Sequence, residues 1–298
     1  MTAPLPILVA GATGALGGLV ARKLLAAGVP VRAIGRNREK LAALAGAGAE
    51  TMTVDLRDGA AVSRACESVG QVFSTFNNVM GRGAASPNRV DVPAHESLCA
   101  AARAAGIRRF VYLSARGLSA DSPVDYFRVK HTIEGVVRAS GVPFVLIRPS
   151  AFMETWVGML ADGMRKDGTA MLFGDGRMVV NYIALEDVAE FCLRILMRSE
   201  VVNEAIEIGG PSNLSGEQLV ALVESHLGVR AKRRHVPKAV LWAGGALLRP
   251  FNEVAARIMR LGYFTATHDG RFTDWAVAGE RFGVSPRTIE SYVSGQPR

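Results

Sequence analysis

Tyr126 and Lys130 stand four residues apart in a helically patterned stretch that begins after Pro123, so their side chains fall on one helix face. That pair suits proton chemistry. A phenol with a pKa of about 10 is a poor acid–base group at neutral pH, and a nearby ammonium is expected to draw it down toward the working range. Tyr126 has a plainer alternative as a core or substrate-facing aromatic. Ser114 offers a hydroxyl at the end of the apolar run 110–113, or simply a strand-end hydrogen bond. A second group of residues, Gly11-Ala12-Thr13-Gly14-Ala15-Leu16-Gly17, follows the apolar run 7–10 and opens an amphipathic stretch. Gly11 allows a tight turn, Gly14 lets backbone approach a pyrophosphate, and Gly17 permits close helix–strand packing. The helix start offers unpaired N–H groups and positive dipole to phosphate. Strand before, helix after and a third glycine at the packing position together indicate a dinucleotide seat.

The end of the second strand separates two dinucleotides. An acidic residue there would bind the ribose 2′-hydroxyl of NAD(H), whereas an arginine accommodates the 2′-phosphate of NADP(H). The chain reads Gly35-Arg36-Asn37-Arg38, with nothing acidic before Glu39. NADP(H) is therefore expected in preference to NAD(H), with Arg36 as the selector; the plain alternative is a solvated arginine starting a helix. Asp55-Leu56 closes the third strand, where Asp55 would reach an adenine amino group or else cap the next helix.

These residues need a frame. Short apolar runs at 7–10, 31–34, 51–54, 72–75, 110–113 and 144–147 alternate with amphipathic stretches, one placing Leu16, Val20 and Leu24 on a single face before Gly28. That rhythm predicts an α/β doubly wound parallel sheet, a Rossmann fold with helices on both faces. After Pro149 the rhythm breaks. Later strands are expected at 181–183 and 205–208 around a helix at 187–197, and Ser215-Gly216-Glu217-Gln218 reads as a capping box for a helix ending at Gly228. The expected division is a Rossmann domain at 1–155 and a smaller, mostly helical C-terminal substrate lobe at 156–298, with 178–210 partly returning to the sheet.

Composition narrows the classes. The 298 residues are 49% hydrophobic and 21% charged, which fits a globular chain. A formal charge of +8 attracts anions generally; the densest basic run, Arg230, Lys232, Arg233, Arg234 and His235, reads either as a phosphate or lipid patch or, as expected here, as a solvated loop between helix and strand. Cys66, Cys99 and Cys192 are far apart and lack histidine companions, so no metal site is expected and each should behave as a buried hydrophobe in a reducing cytoplasm. The N-terminus shows no signal-peptide pattern, and the apolar stretch 239–248 is too short to span a bilayer. The tail Arg281-Phe282-Gly283-Val284-Ser285-Pro286-Arg287-Thr288-Ile289 superficially suggests a helix-turn-helix, yet Ser285-Pro286 is an ordinary helix start, and nucleic acid is not expected as a partner.

At this point the sequence resembles the atypical or extended short-chain dehydrogenase/reductase superfamily, in its NmrA-like NAD(P)H-binding branch. The matching residues are the Gly11–Gly17 turn, Val54-Asp55-Leu56, Arg109-Phe110-Val111-Tyr112-Leu113-Ser114, Tyr126-Phe127-Arg128-Val129-Lys130 and Arg148-Pro149-Ser150-Ala151-Phe152-Met153-Glu154. Asp187-Val188-Ala189 and Gly209-Gly210-Pro211 extend the likeness over nearly the whole chain. The resemblance implies that Ser114 polarises a substrate carbonyl, Tyr126 delivers or removes the proton, and Lys130 holds the nicotinamide ribose. The strand end around Thr75 and Phe76 is expected to line the central ribose, and Pro149 and Phe152 to flank the nicotinamide. Phe152, Met153 and Trp156 read either as an apolar substrate wall or as core.

The leading expectation is an NADPH-dependent oxidoreductase, passing hydride to a small, fairly apolar carbonyl, quinone or conjugated substrate. Two alternatives remain: a non-catalytic NADP(H)-sensing regulator or assembly factor, and an NADP-dependent sugar-nucleotide epimerase.

Overall fold

The computed structural model describes residues 4–297 and forms two compact units. The first contains the described chain up to Ala120, Tyr126–Arg148 and Val188–Ile206; the second contains Asp121–Asp125, Pro149–Asp187 and the described chain from Glu207 onward.

In the first unit strand and helix alternate: β1 (Ile7–Ala10), α1 (Ala15–Ala26), β2 (Val31–Gly35), α2 (Arg38–Ala45), β3 (Glu50–Thr53), α3 (Gly59–Cys66), β4 (Gln71–Ser74), α4 (Pro87–Ala104), β5 (Arg109–Leu113), α5 (Asp125–Ala139) and β6 (Phe144–Pro149). The main sheet has the order β10-β6-β5-β4-β1-β2-β3, where β10 is the late strand Glu204–Ile208. β1 pairs in parallel with β2 and β4, β2 with β3, and β5 with β4 and β6. The six expected strands are present within a residue or two of their expected ends. Leu16, Val20 and Leu24 are buried along α1, and Val129, Ile133 and Val137 along α5, the 3.6-residue stripe that seats a helix on a sheet. Leu8, Val72, Phe110 and Leu146 from the strands pack with Val62, Leu98 and Ile133 from α3, α4 and α5 in one core. Truncating a side chain such as Leu98 to Ala there would cost about 2–5 kcal/mol.

The remaining elements are β7 (Ala151–Phe152), α6 (Met153–Asp167), β8 (Thr169–Phe173), β9 (Val179–Ile183), α7 (Leu185–Met197), β11 (Ser212–Ser215), α8 (Gly216–Leu227), β12 (Lys232–Val236), α9 (Lys238–Leu247), α10 (Glu253–Thr267), α11 (Trp275–Phe282) and α12 (Ile289–Ser294). Of the two late strands expected, β10 joins the main sheet, while β9 pairs with β7 in parallel and with β11 antiparallel. The capping box is formed: Ser215 Oγ accepts from Gln218 N–H, and the Gln218 side chain accepts from Ser215 N–H.

Three local readings are corrected. The basic run is no loop: Lys232–Val236 is the strand β12, paired in parallel with β8, and Arg233 is spent on Glu217 and Glu224. In the tail, α12 starts at Ile289 rather than at Pro286 and is capped by Thr288, whose Oγ1 accepts from Ser291 N–H. Ile289 and Val293 are buried and seat one face of this six-residue helix in the core of the second unit. Finally, Asp58 rather than Asp55 caps α3, accepting from the N–H groups of Ala60 and Ala61.

Candidate active site

The glycine turn between β1 and α1 is closed by Gly14 N–H donating to Gly11 O at 3.0 Å. Gly11 has φ +89°, and a Cβ on it would lie 2.7 Å from Thr75 Oγ1 and 2.9 Å from Phe76 N. A Cβ on Gly17 would overlap the Gly11 carbonyl and lie 2.8 Å from Thr75 Oγ1. The turn thus fits only with glycine at both places, and it packs on the Thr75-Phe76 end of β4. Thr13 packs over Gly35 at the end of β2, next to exposed Arg36. Leu16 and Gly17 are buried, whereas Gly14 and Ala15 are exposed at the helix start. No side chain caps α1, and its first turn holds no acid. The opening N–H groups therefore have no side-chain cap, and their partial positive charge suits a phosphate. Those features fit a dinucleotide pyrophosphate.

Around this seat, Leu56 is buried in the core, and Asp55 folds onto its neighbour: Arg57 donates to Asp55 at 2.5–3.1 Å. That hydrogen bond holds the Asp55 carboxyl down to about 2, against the opposing effect of burial. Thr75 N–H donates to Ala10 O at 2.9 Å, and Phe76 is half-buried with its ring 5.9 Å from His95. Pro149, buried at the end of β6, and Phe152, half-buried in β7, belong to the second unit. There Met153 is fully buried, and Trp156 meets Phe173 and Tyr182 edge to face.

Tyr126 and Lys130 lie one turn apart on α5, with the Lys130 ammonium 5.3 Å from the Tyr126 ring centre. Lys130 is only 4% exposed. Its Nζ donates to Leu113 O at 2.7 Å and to Tyr112 Oη at 3.4 Å. Burial draws its pKa down to about 8, partly countered by the Asp91 and Glu134 carboxylates. For Tyr126 the expected downward shift is not found. Burial, assisted by the Asp91 carboxylate, pushes the half-buried phenol up, so it stays protonated throughout the neutral range.

Ser114 sits just past β5, buried, and its Oγ donates to Glu134 Oε1 at 2.6 Å. Sequence reasoning missed that partner. Arg148 binds the same carboxylate at 2.6 and 2.9 Å, and Arg138 at 3.1 Å. Burial opposes the charge on Glu134, but the hydrogen bonds from Arg148 and Ser114 outweigh it and keep the carboxyl below its ordinary range. The available signal was spacing: Glu134 follows Lys130 by four residues on the same helix face. His95 is a second omission. Its Nδ1 lies 2.7 Å from the Asp91 backbone carbonyl and its Nε2 3.0 Å from Ser74 Oγ. A carbonyl only accepts, so Nδ1 carries the proton and Nε2 accepts from Ser74. Burial depresses the imidazole to about 4, leaving it neutral. Among the described residues no cluster of His, Cys, Asp and Glu could hold a metal ion.

The NmrA-like family model matches residues 5–293. The chain belongs to the NmrA-like family. It is 31% identical over 223 residues to the NAD(P)H azoreductase of Xenophilus azovorans, covering 74% of each chain. It is 34% identical over 224 residues to the (4-alkanoyl-5-oxo-2,5-dihydrofuran-3-yl)methyl phosphate reductase of Streptomyces griseus, again covering 74% of each. Photosystem II assembly factor Ycf39 of Synechocystis is 24% identical over 292 residues, 96% of this chain and 89% of that one. The fold matches the NADPH complex of the Escherichia coli quinone oxidoreductase QOR2 with a TM-score of 0.81 and 24% identity, covering 97% of this chain and 98% of that one. The reductases among these relatives support NAD(P)H-dependent oxidoreductase as the enzyme class of the chain.

Proposed function

We propose that this protein binds NADPH in preference to NADH and reduces a small, fairly apolar carbonyl, quinone or conjugated substrate. The observation that carries the reading is the uncapped start of α1 behind a turn that admits no side chain at Gly11 or Gly17. Arg36, exposed after β2 with no carboxylate before Glu39, supports the choice of the 2′-phosphorylated cofactor. The reduced nicotinamide supplies the hydride. The protein's own residues do the rest. Lys130, charged at neutral pH and fixed to Leu113 O, provides a positive charge beside the Tyr126 ring. Tyr126 holds its proton at Oη because burial raises its pKa, which is the state a reductase needs when a substrate oxygen gains electrons. The single proton of Ser114 is given to Glu134, so Ser114 acts as an acceptor or a positioner and not as a second donor.

A panel of quinones, enones, imines, azo dyes and aldehydes followed by NADPH absorbance tests the reading, with Tyr126→Phe beside wild type. The variant should lose about 100-fold or more in kcat with NADPH affinity unchanged. Full turnover by Tyr126→Phe would remove that phenol from the mechanism. A second reading, a nucleotide-holding assembly factor, is favoured by the likeness to Ycf39 over 96% of the chain and by the commitment of Ser114 to Glu134. Tight NADPH binding without consumption across the panel would select it.

A further inference from the structure

The hairpin of α9 and α10 leaves one helix face uncovered. α9 turns Leu241 and Gly245 inward, and these glycines bring α10 close: a Cβ on Gly245 would lie 2.6 Å from Arg260 Nε, and one on Gly244 3.5 Å from Met259 Sδ. Its outward face carries Ala239, Val240, Trp242, Ala243, Ala246 and Leu247, all exposed. Leu247 is 71% exposed, and Phe251 in the connection to α10 is 87% exposed. Between Lys238 and Arg249 there is no charged or polar side chain. Water-facing helices carry polar residues outward, and a contiguous apolar face of this kind marks an interaction surface.

The charge around the face indicates what covers it. Residues 225–252 contain six Lys and Arg and no Asp or Glu. Lys238 and Arg249 bracket the stripe, and Arg230, Lys232 and Arg234 are exposed on and just before the strand that leads into it. Two copies meeting through α9 would set these cations against one another in either orientation, and the carboxylates near them, Asp175 beside Lys238 and Glu253 at the start of α10, are outnumbered. An anionic lipid surface meets both needs: headgroup charge for the cations, and acyl chains for side chains that protrude singly and require no shaped groove. Trp242, with the Arg260 guanidinium 3.8 Å from its ring centre, combines an apolar body and a polar rim, the composition favoured at a bilayer interface. No helix among the described residues is long and apolar enough to cross a membrane, so the contact is superficial.

We propose that the exposed face of α9, with Leu247 and Phe251 as its inserting side chains, docks the protein on an anionic membrane surface. The full chain is sedimented with phosphatidylcholine vesicles with and without phosphatidylglycerol. Binding is expected only to the mixed vesicles, weakened by salt, with a blue shift of tryptophan emission that Trp242→Phe removes. Leu247→Ser and Phe251→Ser should each lower partitioning roughly tenfold. Both side chains are exposed, so unchanged melting and NADPH affinity of the double variant certify its fold. Absence of binding to either vesicle overturns the proposal. So does undiminished binding by the double variant, which would reduce the effect to charge alone. A lipid-free dimer that the double variant dissolves also overturns it, assigning the face to a second copy.

Discussion

Replacing Lys130 by Met should change the stability of the protein in a way that depends on pH. The ammonium is almost wholly buried, and its pKa falls from an ordinary 10.5 to about 8, so holding it charged costs roughly 3 kcal/mol at ~1.4 kcal/mol per pH unit. Below pH 8 both folded and unfolded chains carry the proton and the cost is fully present. Between about 8 and 10.5 the unfolded chain binds more protons than the folded one, so this group makes stability rise with pH. Lys130→Met removes that cost but also the bond to Leu113 O, leaving a buried carbonyl unpaired at about 1–3 kcal/mol. At pH 7 the variant should therefore be about 0–2 kcal/mol more stable than wild type. At the alkaline end only the loss survives, and the variant should be about 1–3 kcal/mol less stable than wild type. Urea denaturation of both proteins at neutral and alkaline pH measures the difference, and subtraction cancels the tyrosines and cysteines that titrate in the same range. A wild-type-minus-variant difference that stays flat, or that shrinks as pH rises, would refute the argument for a depressed lysine.

Gly17→Ala should abolish NADPH binding and destabilise the fold by about 1–3 kcal/mol, because its Cβ meets backbone that has no room to yield; calorimetric titration and thermal melting read the two effects. Arg36→Glu should shift the NADPH-to-NADH affinity ratio by about tenfold or more toward NADH, and equal ratios in both proteins would deny Arg36 its part as selector. Glu134→Ala strips a common partner from Arg138, Arg148 and Ser114, and takes away the carboxylate that faces the partly buried Arg148 guanidinium. Its melting point should fall by on the order of 10 °C.

The main sheet was legible because its strands are short runs rich in β-branched or apolar residues between turn residues, and because α1 and α5 announce their buried stripe at helical spacing. Parallel pairing follows from that alternation. The second unit was harder for a physical reason. Its strands are short or polar, and β12 reads Lys-Arg-Arg-His-Val with its side chains mainly in water, so no apolar pattern marks it. At the site, glycines were legible because backbone sterics leave no other residue type. The network behind Ser114 was not: Glu134 and Arg148 meet across a helix and a strand fourteen residues apart, and nothing local encodes that encounter. The same blindness inverted the view of Tyr126. Spacing reveals a neighbouring ammonium, while burial, which dominates the phenol, is a property of the folded environment.

Cys66, Cys99 and Cys192 are all buried, and all belong to the first unit; the second unit has no thiol. Burial lifts Cys66 to about 11 and Cys99 to about 12, and pushes Cys192 up as well. Thiolate is the reactive form, so alkylating reagents meet an inert protein until that unit opens. The rate of label uptake is then a built-in clock for unfolding of the sheet-bearing half alone, readable without any engineered probe.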